Sequence, residues 1–300
     1  MTDFGIYPGG VSGDDAGGLA TGKPDDPAAV EAALDDLGVT VVRVYTAFKD
    51  AGEESFCNPA DFGRYATAGR KLDLVAQFQS RSGDVPGYLC FLSHLVQDYG
   101  DRIATLQITE EPNVVGNATL DGDYPNVRRA IIEGVQAFSG QGFRIGFNTT
   151  PLFGPAASFV QDLVTEGGPG FVAALDYIGL DAFPDVFMPA EDPAAALSWL
   201  LGMHRDLLAN AGLPVDIPLH LTENGWPTGP ERSEARQAEV LAGILEVVAQ
   251  HDLGAYHHFS LRDADTAQPG LFHRFGLMRD DYTPKPAYQV YRDHIAKHSA

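Results

Sequence analysis

The chain has little cysteine: Cys57 and Cys90 are the only two in 300 residues. Two thiols make no disulfide framework, and neither sits at a metal-ligand spacing, which argues against a stapled scaffold and a thiolate metal centre. A single bridge between them stays open; buried free thiols are the expectation. Positive charge is scarce too, with 20 Lys and Arg against 41 Asp and Glu and a formal net charge of −21. Nucleic acid and anionic membrane both attract cationic surface, so neither is an expected partner. No apolar run approaches the length of a membrane span. The opening "MTDFGIYPGG" lacks a basic segment followed by an apolar core and does not read as a secretory leader. Cytoplasm is the expected location, or secretion where a leader has been removed. The sequence leaves the oligomeric state open.

What is present is a large core. Hydrophobic residues make up 44% of the chain and charged ones only 20%, a composition that excludes disorder. Short β-branched or aromatic runs alternate with longer stretches of helical period. The runs cover 4–8, 40–48, 72–79, 104–109, 143–150, 175–183, 218–226 and 255–261. Most are too continuously apolar to keep one face in water. Helical patterns cover 26–38, 84–100, 126–140, 193–212, 233–254 and 285–298. In the first of these, Val30, Leu34 and Leu37 share a face, Asp26 stands in the N-cap region and Gly38 at the C-cap position. Neither linker nor low-complexity tract interrupts the alternation. Strands each followed by a helix imply parallel pairing with right-handed crossovers. The count predicts an α/β fold, a single closed (β/α)₈ barrel over residues 1–300. An open doubly wound sheet is the alternative, but "GGVSGDDAGG" after the first strand lacks the spacing of a phosphate loop.

A barrel places its site at the C-terminal ends of its strands. Those ends carry Tyr7, then Arg43 with Tyr45, then Gln77 or Gln79, then Glu110 and Glu111, then Asn148. The last three carry Asp181 and Phe183, Glu223 with Asn224 and Trp226, and His258 with Arg262 and Asp263. Strands four and seven thus each deliver carboxylates: "LQITEEPN" (106–113) and "LTENGWPTG" (221–229). Two carboxylates facing across a barrel mouth suit glycoside hydrolysis, in which one protonates the leaving oxygen and the other attacks or activates water.

With those motifs in order, the sequence resembles glycoside hydrolase clan A, the (β/α)₈ retaining glycosidases. "ITEEPN" is similar to that clan's Asn-Glu-Pro signature on strand four, and "LTENGWPTG" resembles its strand-seven nucleophile segment. "VVRVY" (41–45) matches its strand two and "DYIGLDAFP" (176–184) its strand six. The resemblance implies Glu111 as acid/base, Glu223 as nucleophile, Arg43 keeping Glu223 ionised, a β-linked carbohydrate substrate and no cofactor. The chain departs from the clan at three places. Glu110 stands where the clan has asparagine, Phe183 where it has tyrosine, and "YHHFSLRD" (256–263) shows no strand-eight tryptophan. Glu110 beside Glu111 crowds two like charges, which raises one of the two pKa values and suits a general acid. It also leaves open which of the two is the acid.

Other readings compete. Arg43 could close a core salt bridge; Trp226 could pack a loop instead of stacking on a sugar; of His257 and His258, at most one faces the mouth. Departures from the clan suggest a carbohydrate-binding pseudoenzyme as a rival. A metal-dependent barrel hydrolase is weaker, since no His-x-His or Glu-x-x-His motif is present.

Overall fold

The computed structural model describes residues 2–14, 17–53, 56–67 and 69–298. Eight parallel strands form the barrel: β1 (Asp3–Ile6), β2 (Val41–Lys49), β3 (Lys71–Gln79), β4 (Ile103–Ile108), β5 (Arg144–Thr149), β6 (Tyr177–Asp181), β7 (Leu219–Asn224) and β8 (Ala255–His258). Hydrogen bonding runs β1-β8-β7-β6-β5-β4-β3-β2, and β1 pairs with β2 as well, which closes the ring. Seven helices accompany them: α1 (Pro27–Leu37), α2 (Val85–Tyr99), α3 (Val127–Phe138), α4 (Phe159–Ala174), α5 (Pro193–Asn210), α6 (Glu234–Gln250) and α7 (Pro286–His298).

The predicted alternation fails at one step and understates another. Among the described residues no α-helix joins β2 to β3. Instead Phe56–Asn58 folds back antiparallel on β2, followed by a 3₁₀ turn at Phe62–Tyr65. That segment carries Gly52, Pro59, Gly63 and Gly69 and no apolar stripe, so nothing drives a helix there. Conversely, α4 is a helix that the sequence hides behind "EGGPG" (166–170). Gly168 leaves helical geometry at φ 64°, and Pro169 restarts the helix with the fixed φ it already prefers.

Two compact units make up the chain. The first comprises Met1–Arg43, Ala182–Leu201 and Leu221–Ala300. Within it α1 is capped as its sequence predicts: Asp26 accepts from Ala28 and Ala29 N–H, and Gly38 closes the helix at φ 69°. Phe4, Tyr256 and Tyr291 pack together, with the Tyr291 hydroxyl of α7 donating to Gly5 C=O at 2.6 Å. Tyr288 ties α7 to α1 by donating to Asp36 at 2.9 Å.

The second unit comprises Val44–Asp181 and Gly202–His220. β3 and β4 pair with Asp73 opposite Thr105, whose hydroxyl donates to the aspartate, and both are buried. Polar groups paired across strands therefore sit among the apolar runs. Over β4 lies α3, approached closely at Gly134, where a Cβ would meet Ile108 at 3.2 Å. Cys57 and Cys90 are free and exposed, which corrects the expectation of buried thiols. Cys90 falls on the outer face of α2, turned away from the buried Tyr88 and Leu92.

Candidate active site

The end of β4, in the second unit, is built under strain. Beyond Ile108 the chain turns through Thr109 (φ 69°) and Glu111 (φ 43°), both left-handed and neither a glycine. Such residues cost on the order of 1–3 kcal/mol each and persist only where their surroundings over-determine them. Here each peptide is tied. Thr109 N–H donates to Ala76 C=O of β3 at 3.0 Å, and Gln107 donates to Thr109 C=O at 2.9 Å. Glu111 N–H donates to Asn148 Oδ1 at 2.9 Å, while Asn113 exchanges two hydrogen bonds with Thr150.

The side chains converge in the same place. Glu110 is 4% exposed and accepts from Gln107 Nε2 at 2.6 Å and Asn148 Nδ2 at 3.3 Å. Asn148 also donates to Asp181, itself buried at the end of β6. Glu110, Glu111 and Asp181 each bring a carboxylate oxygen within 4.8 Å of the others. Amide donors stand between the negative charges, so Glu110 is a buried member of the site rather than a solvated turn residue. Glu111 is half-buried and keeps an opening to water.

In the first unit the end of β7 carries Glu223, 8% exposed, with Arg43 of β2 beside it at 1%. Arg43 Nε donates to Glu223 Oε1 at 3.4 Å. Its backbone is held too. Ala182 N–H donates to Glu223 C=O at 3.0 Å, and Asn224 Nδ2 returns to Ala182 C=O at 2.7 Å. The Tyr256 hydroxyl donates to Asn224 Oδ1 at 3.2 Å and lies 3.1 Å from His258 Nδ1.

Two residues expected at the mouth are elsewhere. His258 shares its face of β8 with Tyr256, against Tyr291 of α7, and is buried. Burial pushes its pKa down to about 3, so it is a neutral brace behind β7. Register pairs His257 with Gly5 of β1, on the opposite face of β8. Trp226 is 6% exposed. Arg232 covers its ring at 3.9 Å and Asp185 accepts from its Nε1–H at 3.1 Å, so it packs the loop and offers no platform for a sugar. Phe183 joins an aromatic cluster, edge-on to Phe275 at 5.7 Å and Phe187 at 5.4 Å; Phe259 stacks on Tyr7 at 5.0 Å.

Two residues of the β4 cluster escaped sequence reading. Gln107 had a signal, a polar side chain inside an apolar run one period before Thr109. Asp121, in the loop after β4, had none. It is fully buried and accepts from Glu110 N–H at 2.8 Å.

The fold class so defined is the closed (β/α)₈ barrel, and the structures it is similar to include glycoside hydrolases. No family model matches the chain, and no curated protein matches it in sequence. The GH5_18 protein of Bifidobacterium longum has a TM-score of 0.67 at 16% identity, covering 100% of this chain and 80% of that one. A family 39 glycoside hydrolase from Bacteroides cellulosilyticus has 0.64 at 16%, covering 97% of this chain. A monomeric β-xylosidase from Caulobacter crescentus has 0.60 at 17%, covering 97% and 67% of the two chains. The chain spans 63% of the length of the family 39 enzyme. At these identities the likeness is one of fold.

Proposed function

We propose that the chain is a retaining glycosidase acting on a β-linked glycoside or oligosaccharide, with its catalytic machinery in one barrel domain. The observation that carries this reading is Glu223 at the end of β7 with the buried Arg43 guanidinium against it. A carboxylate held beside a fixed cation suits a nucleophile, and barrel enzymes place such groups at strand C-termini. The strained, amide-lined end of β4 carries the second carboxylate that such a reaction needs, and structures of similar fold include glycoside hydrolases.

In the reaction so assigned, a Glu223 oxygen attacks the anomeric carbon while the bond to the leaving oxygen breaks. Glu111 gives its proton to that oxygen. Water then attacks the glycosyl-enzyme, Glu111 takes the water's proton, and Glu223 is released as carboxylate. Glu111 is the better acid/base of the adjacent pair because it is half-buried and can exchange its proton with water. Glu110, fixed by Gln107 and Asn148, is placed to accept a hydrogen bond from a sugar hydroxyl. No cofactor enters these steps.

A screen of β-linked aryl glycosides and polysaccharides, wild type beside Glu223→Gln, tests the proposal. Turnover that disappears in the variant is the expected result. Binding of glycans without turnover of any of them would leave a carbohydrate-binding protein on the same barrel.

A further inference from the structure

We propose that Asp121 is a positioning residue, a clamp that holds the peptide carrying Glu110 and Glu111 in its left-handed shape and so sets where the acid/base points. The catalytic half of this statement rests on the proposed glycosidase function; the clamp itself does not.

Parallel pairing of β3 with β4 stops at Ala76 opposite Ile108. Past that point the N–H groups of Phe78 and Glu110 have no place in the ladder, yet buried donors need an acceptor. One carboxylate oxygen serves both: Asp121 Oδ2 accepts from Phe78 N–H and from Glu110 N–H, each at 2.8 Å. The Asp121 backbone completes a closed exchange, its N–H donating to Glu110 C=O at 3.0 Å. Glu110 is thus gripped on both sides of its α-carbon by a single residue. Its neighbours Thr109 and Glu111 are the two left-handed residues, so the grip falls on the peptide with most to gain by relaxing.

The loop bearing Asp121 is braced in turn. Gln77 and Gln79 of β3 both donate to Thr119 C=O, at 2.8 and 3.2 Å. Among the described residues, the side chains that feel the Asp121 charge are Tyr88 of α2 and Tyr124 of its own loop. Neither is a cation. Burial accordingly lifts the Asp121 carboxyl to about 7, against the opposing pull of the Phe78 and Glu110 N–H groups and the Gln79 side chain. A carboxylate kept in so unfavourable a place, with no countercharge among these groups, argues for a positional role over a stabilising one.

The test compares Asp121→Ala with Asp121→Asn, whose amide oxygen can still accept from both N–H groups. Amide exchange of Phe78 and Glu110 should accelerate in Asp121→Ala and stay slow in Asp121→Asn. On glycosides with a poor leaving group, which need the acid, Asp121→Ala should lose about 10²-fold in kcat, near the lower limit for general acid help. On an activated phenyl glycoside it should remain close to wild type, because that group departs unprotonated. Asp121→Asn should keep both activities. An equal loss on both substrates by folded Asp121→Ala would mean a merely structural role and overturn the proposal. So would unchanged exchange at Glu110. Should Asp121→Ala fail to fold, Asp121→Asn decides alone, since full activity with Glu110 exchange as fast as in an open loop would refute the clamp. If wild type turns over no glycoside, the functional reading fails, while exchange in the two variants still reports the clamp.

Discussion

The two carboxylates assigned opposite roles differ in surroundings: Glu223 lies against a buried cation, and Glu111 is half-open to water between hydrogen-bonded neighbours. Removing each therefore has a different chemical signature. Glu223→Ala should be inactive on every glycoside and regain turnover with azide, giving a glycosyl azide of inverted configuration. Glu111→Ala should still form the glycosyl-enzyme from an activated aryl glycoside, and azide should then give retained product. NMR of the products decides between this assignment and its reverse. Arg43→Ala leaves Glu223 buried without its cation, and breaking a buried pair costs about 3–5 kcal/mol, readable as a lower urea midpoint. His204 provides a separate check. It is fully buried, neither ring nitrogen has a hydrogen-bond partner among the described residues, and burial lowers its pKa to about 4. The unfolded chain binds a proton at this histidine below its ordinary value of 6.5, and the folded chain does so only near 4. Stability contributed here is therefore present above pH 6.5 and drains away as the pH falls toward 4. Replacing His204 by Leu should flatten the urea-stability profile in that window by about 1.4 kcal/mol per pH unit.

At the scale of elements, what the sequence made legible is what repeats. Val30, Leu34 and Leu37 recur at helical spacing between an Asp cap and a Gly stop, and α1 lies where they predict it. Short apolar runs likewise marked all eight strands, and barrel logic then turned strand ends into a list of mouth residues. Glu110, Asn148 and Asp181 emerge together from that list because period and topology alone bring them to one rim. The misreadings are aperiodic. Trp226 and His258 lie at the right ends but face protein, a choice made by Arg232 further along the same loop and by Tyr291 of α7. Asp121 hangs on a loop whose path no period encodes. The hidden break in α4 also yields a test: Gly168 sits at φ 64°, where a Cβ costs roughly 1 kcal/mol or more, although open space surrounds it. Gly168→Ala should lower the unfolding free energy by about that much, whereas Gly202→Ala, in α5 with equal space, should stabilise slightly.

At the scale of the whole molecule, a net charge of −21 implies self-repulsion that salt relieves. The melting temperature should rise between low and physiological ionic strength, and an unchanged value would show that the acidic groups lie too far apart to matter. The ring itself imposes an order in time. β1 is made first, but its second neighbour is β8, with Phe4 opposite Tyr256, and its cover is Tyr291 of α7. At roughly 5–20 residues per second, a ribosome needs on the order of tens of seconds to travel from one strand to the other. For that interval Phe4 and Ile6 belong to an edge that cannot yet be closed, and long-range pairing of this kind is slow even when both partners exist. A chain lacking Pro286–His298 could still pair β1 with β8 but would leave Phe4 without its Tyr291 cover, so more of it should collect in the insoluble fraction than of the 300-residue chain.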